Sequence, residues 1–305
     1  MVRSILYFDL FKYPLTAAEL WKATGLEASV NEVQAQLDEL VKSGILAVKE
    51  GHYALPETIS YLQRRLDGNH LATKRLPEAQ KSARLIAAFP FVEAVMISGS
   101  MSKNYMDAGS DIDFFIVTQP GRLWIARTLL ILYKKIFLLN SHRNFCVNYF
   151  VDTQHLEIED KNIFTATETV FLMPMAGGDV YARFREANAW ADILFPNFGM
   201  QPMTHNIPIR RPWMRRTLEW AFGAGLGTTV DAWCMRRTLA RWQSKFKSLE
   251  AARFDVALRS RKYVSKHHPS DFQNKVLNRL SDKMKEFETR HQVSLEPTNP
   301  QPGQA

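Results

Sequence analysis

Two aspartates separated by one residue, Asp111 and Asp113, stand ten residues beyond a Gly99-Ser100 pair in the stretch VMISGSMSKNYMDAGSDIDFFIV. In a strand, residues two apart point to the same face. Two carboxylates on one face can hold two Mg2+ ions about 3.5–4 Å apart, a spacing that clamps both the attacking and the leaving oxygen of an in-line phosphoryl displacement. Gly99 lets the backbone approach a phosphate closely, and Ser100 adds a hydroxyl donor beside exposed N–H groups. Lys103, between the two motifs, is placed to offset triphosphate charge.

A sheet must carry these residues. The apolar runs and turn residues predict strands over 92–97 and 112–118, a helix over 123–139 and a third strand over 145–151. Ile112, Phe114 and Ile116 then fall opposite the aspartates, where they can pack on helices. On the third strand, alternation puts Phe145, Val147, Tyr149 and Val151 on one face. Cys146, Asn148, Phe150 and Asp152 take the other. Residues 57–90 read as a helical connector, with Leu62, Leu66, Leu71, Leu76, Ala83, Leu85 and Ile86 as buried positions. After Phe164 the pattern is helical up to the Pro- and Asn-rich break FPNFGMQPMTHNIPIRRP.

Gly99, Ser100, Asp111 and Asp113, each in its strand context, resemble the signature of the nucleotidyltransferase superfamily that includes DNA polymerase beta. The resemblance covers roughly residues 91–152. It implies an α+β fold, with a mixed-sheet core flanked by helices over residues 91–200. It also implies an Mg2+-dependent enzyme that moves a nucleoside monophosphate from a nucleoside triphosphate such as ATP to an acceptor. Asp111 and Asp113 would hold the metals; Gly99, Ser100 and Lys103 would hold the nucleotide. The family normally adds a third carboxylate from a later strand. Asn148 sits where that acid is expected, and an amide supports metal weakly and cannot act as a base. Asp152 shares its face about 13 Å further along, at ~3.3 Å per residue. Three alternatives stay open: Asp152 or another acid completes the site, two aspartates suffice, or nucleotide is bound without turnover. Arg122 can reach a phosphate or merely start a helix, and Glu168 reads more readily as structural than as part of the site. The acceptor is a small molecule, a protein or an RNA.

The first 56 residues read as three helices and a hairpin. Thr16 with Glu19, and Ser29, supply N-caps, while Gly25 and Gly44 stop helices. The order resembles a winged helix. Its third helix carries Glu32, Asp38 and Glu39 against Lys42, a charge that repels phosphate, so the reading disfavours sequence-specific DNA contact.

The whole chain has 305 residues and a net charge of +8. Counted by segment, residues 1–70 carry −2, residues 71–206 carry 0, and residues 207–305 carry +10. The surplus therefore belongs to a predicted basic helical region, 207–292. This region gives a further reading as a nucleic-acid binder, and its Trp-containing stretch 210–247 leaves association with an anionic membrane surface open. No segment reads as a signal peptide or membrane span. Two cysteines, Cys146 and Cys234, exclude a disulfide framework and fit a reducing cytoplasm. His142, His155, His205, His267, His268 and His291 show no zinc-ligand spacing. The tail 293–305 is expected to be disordered.

Overall fold

The computed structural model describes residues 1–141, 143–247, 250–267 and 271–295. His142, His268 and the tail from 296 onward lie outside the described residues. The chain begins with α1 (Val2–Asp9), β1 (Leu15–Thr16), α2 (Ala17–Ala23) and α3 (Val30–Lys42). The hairpin β2 (Ala47–Lys49) and β3 (His52–Ala54) follows, and β1 joins it in a small antiparallel sheet of order β1-β3-β2. Thr16–Glu19 and Ser29–Glu32 form complete capping boxes, which is why α2 and α3 start where the sequence predicts.

The 26-residue α4 (Leu62–Ala87) leads into β4 (Val92–Ser98). Next come β5 (Asp113–Thr118), α5 (Leu123–Phe137), β6 (Cys146–Asp152), α6 (Ile163–Val170), β7 (Met173–Ala176), α7 (Gly178–Ala187) and α8 (Trp190–Leu194). The C-terminal part contains α9 (Trp213–Gly223), α10 (Gly225–Lys245), α11 (Ala251–Ala257), β8 (Ser260–Arg261), β9 (Val264–Lys266) and α12 (Phe272–His291). The fold is α+β, with a mixed six-stranded sheet of order β7-β4-β5-β6-β9-β8. β4 and β5 are antiparallel, whereas β5 and β6 are parallel and joined through the crossover helix α5.

Besides the short β1, three strands, all of the larger sheet, were not expected. β7 interrupts the stretch read as helical after Phe164. Its Pro174 cannot donate to a ladder, and it is tolerated because β7 lies at the sheet edge. β8 and β9 lie within the region read as purely helical, and β9 pairs with β6.

Both faces of the sheet are covered. Val95, Ile97, Ile112, Phe114 and Ile116 pack with α4 and α5 residues such as Ile86, Trp124 and Leu130. Met96, Phe115 and Val117 pack on the other side with Val170, Phe184 and Trp190. Of the apolar positions expected in α4, Leu62, Ala83 and Ile86 are buried, while Leu66, Leu71, Leu76 and Leu85 are half-buried.

Helix α12 packs on the N-terminal unit. Val276, Leu280 and Phe287 of α12 share a core with Ile5, Leu20, Leu37 and Tyr53 of the N-terminal unit. Lys283 pairs with Asp9 across this contact. Arg65 of α4 fixes the same unit from the opposite side. It is bidentate to Glu19 at 2.7 Å, donates to the Pro14 carbonyl and lies over the Tyr13 ring.

Candidate functional site

The site lies where β4 ends and β5 begins. Ser98 pairs with Asp113, and Gly99 then turns away from the sheet with φ +67°. The backbone angle favours glycine, and a Cβ at Gly99 would stand 2.7 Å from Asp113 Oδ2, so that carboxylate would have to shift. Residues 101–103 form a single 3-10 turn after it. The Lys103 and Tyr105 N–H groups both donate to the Ser100 carbonyl, and Ser102 Oγ donates to the Gly99 carbonyl at 2.8 Å. Lys103 Nζ donates to Gly99 O at 3.0 Å and to Glu168 Oε1 at 2.8 Å.

Asp113 lies on the same sheet face as Phe115 and Val117, the face covered by α6, and α6 carries Glu168. Burial pushes the Asp113 carboxyl up to about 7, and the negative charges of Asp111 and Glu168 add to this while Lys103 opposes it. Asn148 Nδ2 donates to Asp113 Oδ1 at 2.7 Å, and the Cys146 thiol donates to Asn148 Oδ1 at 3.2 Å. Burial and the nearby aspartates push that thiol up to about 12, which holds it protonated as a donor.

Asn148 reaches Asp113 through a register shift. Asp113 pairs with Cys146 and Phe114 with Val147, but Phe115 pairs with Tyr149. Asn148 is the extra residue. A bulge of this kind reverses the alternation beyond it. Phe145, Val147 and Phe150 consequently pack on one face of the sheet, and Val151 with Tyr149 on the other.

Asp152 is therefore not a partner of Asn148, contrary to the simple alternation. It pairs with Thr118, five residues beyond Asp113 and about 16 Å away at ~3.3 Å per residue. Its carboxylate accepts from the N–H groups of Gln154 and His155 at 2.9 and 3.0 Å and contacts His155 Nδ1 at 2.8 Å. It closes a turn.

Arg122 is also at that far end. It donates to the carbonyls of Gly121, Gly223 and Ala224 and joins α5 to the α9–α10 connection. Glu168 is the acid that the fold does bring to Lys103 and Asp113.

Sequence reading missed Arg75. This buried α4 residue donates to the carbonyls of Ser110 and Arg143 and to Asn144 Oδ1, at 2.6–3.0 Å. It holds the segments entering β5 and β6 side by side, and so positions Asp111. The only signal was an arginine at a helical spacing that faces the core.

A cavity of about 460 Å3 opens on the Gly99-Ser100 turn. Lys103 and Glu168 line it from the core. Phe11 and Tyr13 line it from the N-terminal unit, and Arg64 from α4. Arg64 also pairs with Asp107 at 2.8 Å and donates to the Phe11 carbonyl. The N-terminal unit is thus a wall of this cavity.

Among the described residues, no three Asp, Glu, His or Cys side chains converge as a metal cage. Mg2+ commonly uses only one or two carboxylates together with substrate phosphates. Asp111 and Asp113 fit that pattern, because their like charges in a desolvated site favour a cation. No family model, no curated protein and no solved structure matches this chain.

Proposed function

We propose that the protein is an Mg2+-dependent nucleotidyltransferase, moving a nucleoside monophosphate from a nucleoside triphosphate to an acceptor and releasing pyrophosphate. The observation that carries this reading is the approach of Gly99 to Asp113, which sets the Gly-Ser turn against a half-buried carboxyl whose pKa is raised to about 7. Asp111 and Asp113 would hold Mg2+. When bound, the metal neutralises phosphate charge and orients the reacting oxygens. Gly99 and Ser100 admit the phosphates, and Lys103 supplies positive charge beside them. Glu168 keeps the Lys103 ammonium in place. Catalysis of this kind is positioning and charge neutralisation. The cavity beside the turn has the volume of a small-molecule site, which favours a small acceptor over a protein or RNA.

Asn148 supports a second reading, a nucleotide-binding regulator with little turnover. Its amide occupies Asp113 Oδ1, where a third carboxylate would otherwise stand. One experiment separates the two. The protein is incubated with labelled nucleoside triphosphate, Mg2+ and a cell extract. Transfer of label with pyrophosphate release, abolished by Asp111→Ala and Asp113→Ala, supports the enzyme. Metal-dependent nucleotide binding without pyrophosphate supports the regulator.

A further inference from the structure

The basic surplus of the C-terminal third gains a structural meaning in the α9–α10 hairpin. Between residues 207 and 247 the chain carries nine basic side chains and two acidic ones. Both acids face inward. Glu219 pairs with the buried Arg215 at 2.7 Å and accepts from the Phe91 N–H, while Asp231 accepts from the Ile125 N–H. The other eight basic residues are exposed, among them Arg216, Arg236, Arg237 and Arg241. Among the described residues the outward surface of this hairpin is therefore cationic with no exposed acid of its own, although Arg211, just before α9, lies 3.8 Å from Glu93.

The same surface exposes large apolar groups. Trp213 is 77% exposed and Trp220 is 85% exposed. Seven residues apart, they lie on one face of α9 with Arg216 between them. On α10, Leu226 and Trp233 repeat that spacing, at 63% and 55% exposure, and Arg236 and Arg237 continue the stripe. Other tryptophans are treated differently: Trp124 and Trp190 are buried, as is Trp242 on the inner side of α10. Arginine alternating with indole and leucine on an open helix face matches the boundary of an anionic bilayer, where indoles sit at headgroup level and guanidinium groups pair with phosphate.

We propose that the outward face of the α9–α10 hairpin binds an anionic phospholipid surface. Among the described residues no helix is long and apolar enough to cross a membrane, so the contact is peripheral. Single-stranded RNA would satisfy the arginines and could stack on the indoles, but it would leave Leu226 and Met214, also exposed, without a partner.

The test is flotation of the full-length chain with phosphatidylcholine vesicles, either pure or containing about one third phosphatidylglycerol. The protein should float with the anionic vesicles, and less so in high salt. Neutralising Arg236, Arg237 and Arg241 to Gln should lower the partition coefficient roughly a hundredfold, taking each basic group near the surface as about fivefold. On the unaltered protein, brominated acyl chains in the anionic vesicles should quench tryptophan fluorescence. Trp213→Ser, Trp220→Ser and Trp233→Ser together should remove that quenching. No flotation, equal flotation with neutral vesicles, or flotation without quenching overturns the proposal. Salt-sensitive binding of poly(U) without flotation overturns it in favour of RNA.

Discussion

The two ends of the β5–β6 pair hold similar residues in opposite states. At the far end, Asp152 is buried and receives two backbone N–H groups and a histidine, and Arg122 spends its guanidinium on carbonyls. At the near end, Asp113 receives an amide hydrogen and has Asp111 and Glu168 as like-charged neighbours. The far end is satisfied and the near end is poised to receive positive charge. The raised carboxyl, at about 7, sets the near end apart as the one to which the proposed function assigns its ligand.

Four changes break or sharpen this contrast. The largest effect is expected in nucleotide transfer. Asp113→Ala should lower the rate at least ~10³-fold, the scale of losing a principal electrostatic group. Asp152→Ala should leave the rate per folded molecule within about tenfold and instead cost stability, ~2 kcal/mol for the lost hydrogen bonds. Steady-state rates with circular dichroism separate the two.

Next is the pH dependence of stability without Mg2+. The Asp113 carboxyl is raised in the folded state, so the native protein holds the proton more tightly than the unfolded chain does. Its contribution is fully present below the ordinary carboxylate pKa and is lost as pH rises through about 7. Between roughly pH 4 and 7 stability should therefore fall, by up to about 4 kcal/mol from this group. Denaturant titrations should show the fall reduced in Asp113→Asn, whereas Asp152→Asn should keep it.

Third is a pair of glycines with the same φ of +67°. Gly99→Ala adds a collision with Asp113 to the backbone strain, while a Cβ at Gly121 meets nothing within 4 Å. Expected losses in thermal or denaturant melts are about 2–3 kcal/mol at Gly99 and about 1 kcal/mol at Gly121. Equal losses would remove the argument for a close approach at the site.

The smallest effect is expected from Asn148→Asp. Replacing a donor to Asp113 by another negative charge should cost about 1 kcal/mol at pH 8 without metal. Saturating Mg2+ should restore it. If Mg2+ gives no recovery, Asp111 and Asp113 do not form a cation site.

The parts of this arrangement that are local in the chain were legible in the sequence. Gly99, Ser100 and Asp113 lie where β4 ends and β5 begins, as the turn and the apolar runs suggest, whereas Asp111 precedes β5 and so falls outside the strand alternation expected to align it with Asp113. The capping boxes located α2 and α3. What escaped was set by packing at a distance. Glu168 comes to Lys103 only because α6 covers one face of the sheet. Asp152 was assigned by alternation across a strand whose bulge at Asn148 inverts the pattern. β7 was concealed by Pro174, which only an edge position allows, and β8 and β9 are two and three residues long, too short for a periodic signal.

The packing of α12 on the N-terminal unit has a consequence for synthesis. Val276, Leu280 and Phe287 leave a ribosome long after the first 55 residues, yet they complete the core that those residues begin. Phe272, at the start of α12, also lines the cavity beside Gly99. A nascent chain can make β4, β5 and β6 before α12, but it cannot close this cavity until α12 emerges. A chain cut short before α12 therefore keeps Gly99, Ser100 and Lys103 in its sequence while lacking a wall of the cavity they line.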